Sequence, residues 1–95
     1  MRRASKIDTN HAAIADHLRR AGWSVHSTAP LGDDFPDLVV ACGGFTAVVE
    51  AKTPGRKLTM GQEDFRMRWQ GVHVVGRTPQ QTLHDLERAR AEAMA

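Results

Sequence analysis

Hydrophobic and polar positions along the chain fall into helically spaced segments, short apolar runs, and polar stretches rich in glycine and proline. Near the start, Ile14 and Leu18 recur at helical spacing behind Asp8, a residue suited to cap a helix. Gly22 then supplies a helix stop, and the next five residues predict a short strand. The first quarter of the chain therefore predicts a helix followed by a strand.

A proline- and glycine-rich loop, residues 28–36, leads into the most hydrophobic segment of the chain. Residues 38–42 and 45–51 are apolar runs joined by Gly43-Gly44, which is the pattern of a β-hairpin with a two-residue turn. This turn fixes the pairing of the two strands, so that Cys42 faces Phe45.

Two helix-start patterns follow the hairpin. Thr59 with Gln62 forms a capping-box pattern, and Thr78 with Pro79 in the first turn repeats the start signal. Between the two helices, "GVHVVG" (71–76) predicts a buried strand. The predicted order is α-β-β-β-α-β-α, an α/β fold with a mixed sheet flanked by helices, and no repeat or linker divides residues 1–95 into more than one domain.

The composition, with 41% hydrophobic and 25% charged residues, is that of a globular domain. No apolar run reaches the roughly 18 residues of a membrane span, and no apolar signal-peptide region is present at the N-terminus. The single cysteine, Cys42, excludes an internal disulfide, so we expect a reducing, cytoplasmic setting.

The net charge is only +2, but the basic residues are clustered. Residues 52–77 contain six basic residues against two acidic ones, and residues 1–6 form a basic arm that we expect to be flexible. Clustered cations suit a polyanion such as DNA, and within the cluster Arg56, Lys57 and Arg66 are the candidate DNA contacts. A solvated basic face without a partner is the alternative.

Two acidic residues flank the hairpin. Its register places Asp37 opposite Glu50, where Cβ atoms are about 4.5–5.5 Å apart and like charges are destabilising. Mg²⁺ or Mn²⁺ would compensate such a pair, and Lys52 lies on the same face of the sheet. The alternative is a solvated carboxylate pair at the open end of the hairpin, with Lys52 as its salt-bridge partner.

These residues carry a family resemblance. Pro36-Asp37, followed by Glu50-Ala51-Lys52 at the end of the next strand, resembles the motif of PD-(D/E)xK phosphodiesterases, and Gln62 agrees with the form that adds a helical glutamine. More narrowly, "GWSVHSTAPLGDDFPDLVV", "TAVVEAK", "KLTMGQEDFRMRW" and "VHVVGRTPQQTLHDL" resemble the small stand-alone VRR-NUC nucleases of phages and bacteria. The resemblance covers about residues 7 to 87.

The resemblance implies a restriction-endonuclease-like core and a Mg²⁺- or Mn²⁺-dependent DNA endonuclease. Asp37, Glu50 and the backbone carbonyl of Ala51 would hold the metal ion. Lys52 would assist the attacking water, and Gln62 would arrange the site; a glutamine that only caps its helix is the alternative. Stand-alone relatives act as homodimers on branched or junction DNA, and we expect the same of this chain.

One position departs from the family pattern. Many relatives carry an acidic residue on the first helix, where this chain has His11. An imidazole there can ligate the metal or contact a phosphate, or it can be a partly buried structural residue. A non-catalytic nucleic-acid-binding or assembly module of the same fold is therefore the alternative function.

Overall fold

In the computed structural model of the protein, residues 9–95 are described, and they form three α-helices, one short 3-10 helix and four strands. The α-helices are α1 (His11–Arg20), α2 (Met60–Arg68) and α3 (Pro79–Ala93), and the 3-10 helix is Ala29–Leu31. The strands are β1 (Ser24–Ser27), β2 (Leu38–Cys42), β3 (Phe45–Ala51) and β4 (His73–Gly76). The predicted α/β class and element order are confirmed. The basic arm (1–6) and Asp8 lie outside the described residues.

The strands form one mixed sheet in the order β1-β2-β3-β4. β1, β2 and β3 are antiparallel neighbours, and β4 runs parallel to β3. Cys42 pairs with Phe45, as the sequence predicts. Gly43 and Gly44 have φ values of 56° and 84°, so both turn residues occupy the left-handed region that a tight hairpin turn of this twist requires.

The hydrophobic core lies on one face of the sheet, beneath α1 and α3. Trp23 closes the end of this layer, since its ring meets Phe45 edge-on at 6.1 Å and its Nε1 donates to Glu87 Oε2 at 3.2 Å. The largest fully buried apolar side chains of the core are Ile14, Leu18, Leu38, Val40, Val49 and Leu86. Every helix within residues 9–95 is too short or too polar to cross a membrane; the expected cytoplasmic localisation stays a prediction.

The start of α1 is fixed by a tertiary contact. Asn10 precedes the first helical residue, but its side chain makes no capping hydrogen bond. Instead its Nδ2 donates to the carbonyl oxygens of Lys52 and Arg77, both at 3.0 Å. The helix therefore begins beside the carboxyl ends of β3 and β4.

The opposite face of the sheet carries α2, which has no buried residue. An aromatic cluster attaches it: Phe65 stacks on Trp69 at 5.2 Å, and the Phe35 ring meets both rings edge-on. Phe65 also contacts the ring of His73 on β4. This face is therefore covered by one helix, which is attached through aromatic contacts and has no fully buried residue of its own.

Candidate active site

Three charged side chains lie buried on the sheet face beneath α2. Asp37, Glu50 and Lys52 are 3%, 3% and 4% exposed. The last residue pair of the hairpin is Leu38 with Val49, so Asp37 and Glu50 follow one position beyond it. A solvated carboxylate pair at the open end of the hairpin is therefore wrong, because neither acid nor the lysine is open to bulk water.

Asp37 is held by the backbone of the neighbouring strand. Its Oδ2 accepts a hydrogen bond from the Ala51 amide at 2.9 Å, and its own carbonyl accepts one from Thr28 N at 2.7 Å. The N–H and C=O of a strand residue point to the same side, because opposed residues exchange both bonds. The Ala51 carbonyl therefore faces the side of β3 on which Asp37 lies.

Gln62 joins the other two charged groups. Lys52 Nζ donates to Gln62 Oε1 at 2.9 Å, and Gln62 Nε2 donates to Glu50 Oε2 at 3.4 Å. The same glutamine completes the predicted capping box with Thr59. Gln62 thus caps α2 and contacts the site at once, and the interpretation of a purely capping glutamine is wrong.

The oxygen donors of this cluster fit a hard divalent cation. Two carboxylates and one backbone carbonyl are ligands suited to Mg²⁺ or Mn²⁺, which keep several waters in such sites. Within residues 9–95, no group of three or more His, Cys, Asp or Glu side chains is placed to hold a metal ion. Asp37 and Glu50 would therefore leave coordination positions for the carbonyl, water and substrate.

His11 is the first residue of α1 and is half-buried. Its Nε2 is buried and has no hydrogen-bond partner among residues 9–95. No group of His11 with two further ligating side chains is found within residues 9–95. Its assignment as a metal ligand stays a prediction.

His73 lies on the same sheet face as Glu50, because it pairs in parallel register with Val48. Burial, and secondly the nearby Arg66 guanidinium, lowers the pKa of His73 below its usual value. Within the described part of the chain, its Nδ1 is buried without a hydrogen-bond partner. The neutral imidazole is therefore the form that fits between β4 and α2.

The basic stretch divides into two groups in the structure. On α2, Arg66 and Arg68 pair with Glu63 and Asp64 at 3.7 and 2.9 Å, which offsets part of their charge. The loop that follows Lys52 carries the other group, Arg56 and Lys57, and both are exposed. All three candidate DNA contacts therefore lie at the surface.

Sequence reasoning missed the role of Arg77. Its Nη1 donates to the carbonyl oxygens of Thr53 and Arg56, at 3.2 and 2.7 Å, so it holds the exposed loop against the end of β4. Asp34 also contacts α2: a Cβ at Gly61 would collide with its Oδ2, so its carboxylate rests against the first turn of the helix.

No family model matches the chain, and no curated protein or solved structure shows a significant similarity to it.

Proposed function

We propose that the protein is a Mg²⁺- or Mn²⁺-dependent DNA endonuclease of the PD-(D/E)xK type, with a restriction-endonuclease-like core. One observation carries the proposal: Asp37, Glu50 and Lys52 are buried together, with Gln62 joining Lys52 to Glu50 and the Ala51 amide holding Asp37. Burial of two acids and one lysine is costly unless the charges are compensated, so this cluster is not explained by stability alone. Ionisable groups that are clustered and buried in this way are candidates for a functional site.

Asp37, Glu50 and the Ala51 carbonyl would hold the cation. When bound, a divalent ion lowers the pKa of its water and neutralises charge that develops on the phosphate. The protein's own contribution is to hold both carboxylates in position before the ion arrives. The Ala51 amide does this for Asp37, and the Gln62 side-chain amide does it for Glu50.

Lys52 would orient the attacking water or place positive charge beside the phosphate. Its Nζ is held by Gln62 Oε1, and the remaining two N–H groups of the ammonium can donate to water or to a phosphate oxygen. The reaction is hydrolysis: the water oxygen bonds to phosphorus and the bond to the 3′ oxygen breaks. The products are a 5′-phosphate and a 3′-hydroxyl, as the family resemblance implies.

DNA would be bound through its phosphates. Arg56 and Lys57 are exposed on the loop that follows Lys52, and Arg77 holds that loop in place. Contacts from such side chains position the duplex without reading its bases, and they weaken as salt rises. Selectivity for DNA shape suits this surface better than selectivity for sequence. A homodimer would place two sites on branched DNA.

The test is cleavage of labelled linear duplex, single strand, flap and four-way junction DNA with Mg²⁺, Mn²⁺ or EDTA. Wild-type protein should cut in either metal and not in EDTA, with a preference for a branched substrate, and Glu50→Ala should not cut. Metal-independent binding without cuts on every substrate would contradict the proposal and would favour the non-catalytic module instead.

A further inference from the structure

One oxygen atom of the Gln62 side chain takes part both in the capping box of α2 and in the candidate site. Its Oε1 accepts hydrogen bonds from the Thr59 backbone N–H and from Lys52 Nζ, each at 2.9 Å. In return, the Thr59 hydroxyl oxygen accepts a hydrogen bond from Gln62 N at 3.1 Å. The capping box of α2 and the lysine of the site therefore share an acceptor.

This sharing fixes which way the amide of Gln62 points. Both partners of Oε1 are donors, so the oxygen must face them and the nitrogen must face away. The nitrogen then donates to Glu50 Oε2, because a carboxylate oxygen accepts hydrogen bonds and needs a donor as its partner. A reversed amide would set its NH₂ group against the Lys52 ammonium and its oxygen against Glu50.

We propose that Thr59 is a positioning residue of the site, and that it acts through Gln62. The proposal rests on the function proposed above. Because α2 has no buried residue, its first turn depends on the cap more than on packing. Removal of the Thr59 hydroxyl leaves the backbone N–H of Gln62 without its acceptor and loosens the first turn of α2. The side chain of Gln62 can then move away from both Lys52 and Glu50.

The chain contains a matched control. Thr78 and Gln81 form the same capping box at the start of α3, with Gln81 N donating to Thr78 Oγ1 at 3.1 Å. The Gln81 side chain donates to the Val75 carbonyl and to Asp85 Oδ2 and accepts from the Arg77 backbone N–H at 2.7 Å, and none of these contacts involves Asp37, Glu50 or Lys52. Thr78→Ala therefore breaks an equivalent cap and leaves the contacts of Gln62 in place.

The experiment compares wild type with Thr59→Ala, Thr59→Ser and Thr78→Ala. For each protein we would measure the single-turnover cleavage rate at saturating DNA, the Kd for DNA in Ca²⁺, and the urea midpoint of unfolding. The side-chain NH₂ resonances of Gln62 and Gln81 would be followed by ¹H–¹⁵N NMR, which reports the position of each amide without any need for catalysis.

The cleavage rate of Thr59→Ala should be lower by about tenfold or more, because misplacement of reacting groups slows the reaction. Its Kd for DNA should change little. Its Gln62 NH₂ pair should move to the position of a solvated amide, while the Gln81 pair stays. Thr59→Ser should restore both readouts. Thr78→Ala should lower the urea midpoint by a similar amount and cleave at the wild-type rate.

Two results would overturn the positioning role: wild-type cleavage by Thr59→Ala, or an equal loss of cleavage in Thr78→Ala. If wild type itself does not cleave, the proposed function fails and NMR alone decides the positioning role. In that case a displaced Gln62 pair in Thr59→Ala supports it, and an unmoved pair overturns it.

Discussion

Asp37 and Glu50 show how a buried pair of like charges is tolerated. Each carboxylate accepts a hydrogen bond from a fixed donor, the Ala51 amide for one and Gln62 Nε2 for the other. Lys52 is buried with them and brings one positive charge. A fixed donor at each carboxylate and a nearby opposite charge offset part of the repulsion between the two acids.

Asp37→Asn should remove one negative charge and keep the backbone contact, because the amide oxygen of asparagine can still accept from Ala51 N. We expect the unfolding temperature in EDTA to be unchanged or higher, since the opposed charges are relieved, and cleavage to fall about a hundredfold or more. Asp16→Asn, at an exposed position on α1, serves as the control. A lower unfolding temperature of Asp37→Asn in EDTA would show that the two carboxylates do not repel.

Lys52→Met should keep the buried stem and remove the ammonium group. The two carboxylates would then lack their buried cation, so the free energy of unfolding in EDTA should fall by about 3 kcal/mol. The exposed Lys57→Met should leave this free energy unchanged. In a double-mutant cycle, Asp37→Asn should restore part of the loss in Lys52→Met; strictly additive effects would mean that the two charges are not coupled.

Much of the site can be predicted from the sequence because local features, a turn and the alternation of side chains along a strand, determine where its residues lie. The Gly43-Gly44 turn sets the register of β2 and β3, and alternation then places Lys52 on the face of Glu50. The contacts of Asn10 could not be predicted in this way. They join a side chain to carbonyl oxygens 42 and 67 residues further along the chain, and neither periodicity nor spacing encodes such a contact.

At the scale of elements, α2 is the thinly attached part of the fold. It is held by the aromatic cluster, by Asp34 against Gly61, and by Gln62, while Met60 and Met67 are 91% and 84% exposed. Elements with few buried contacts open first, so motion of α2 should precede global unfolding. Because α2 carries Gln62, such motion would loosen the site.

His73, whose ring contacts Phe65 of α2, should make the stability of the protein depend on pH. Its pKa is lowered in the folded protein, so the unfolded chain binds the proton more readily. The neutral imidazole contributes fully to the free energy of unfolding above the pKa of about 6.5 that histidine has in the unfolded chain. This contribution is lost as the pH falls toward the lower pKa of His73 in the folded protein. We expect the urea midpoint of wild type to drop between pH 7.5 and pH 5.5.

The variant His73→Leu removes the group and should show a smaller drop in the urea midpoint over the same pH range. His84→Gln, at an exposed position on α3, should behave like wild type. An identical drop in His73→Leu and wild type would assign the pH dependence to other groups.

Gly76 permits the close approach of α3 to the end of β4. A Cβ at this position would lie 2.5 Å from Thr82 Oγ1, and Thr82 is fully buried. Gly76→Ala should therefore lower the free energy of unfolding by about 1–3 kcal/mol. Adding Thr82→Ala to this variant should recover part of the lost free energy of unfolding, as measured by urea unfolding. If no free energy is recovered, the added methyl group clashes with Val49 and not with Thr82.

The order of elements was predictable because each has a local pattern at its start or end. The boundaries were less predictable. The 3-10 helix Ala29–Leu31 lies in a segment whose proline and glycine predict only a loop. The start of α1 is decided by the tertiary contacts of Asn10, and a capping pattern does not report such contacts.

For the whole molecule, the two faces of the sheet have separate roles. α1 and α3 cover one face and bury the apolar core, while the other face carries the acids, Lys52 and α2. The start of α1 joins these layers at the carboxyl ends of β3 and β4. The apolar layer can thus fix the strand ends at which the charged side chains lie.

The central claim is that a divalent cation binds between Asp37 and Glu50, and Mn²⁺ titration of ¹⁵N-labelled protein tests it without a known substrate. Mn²⁺ is paramagnetic and broadens the resonances of nearby nuclei. We predict that backbone amides of residues 37, 50 and 51 and the Gln62 NH₂ pair broaden first in wild type and not in Glu50→Gln. Broadening centred elsewhere, or equal broadening in the variant, would contradict the account.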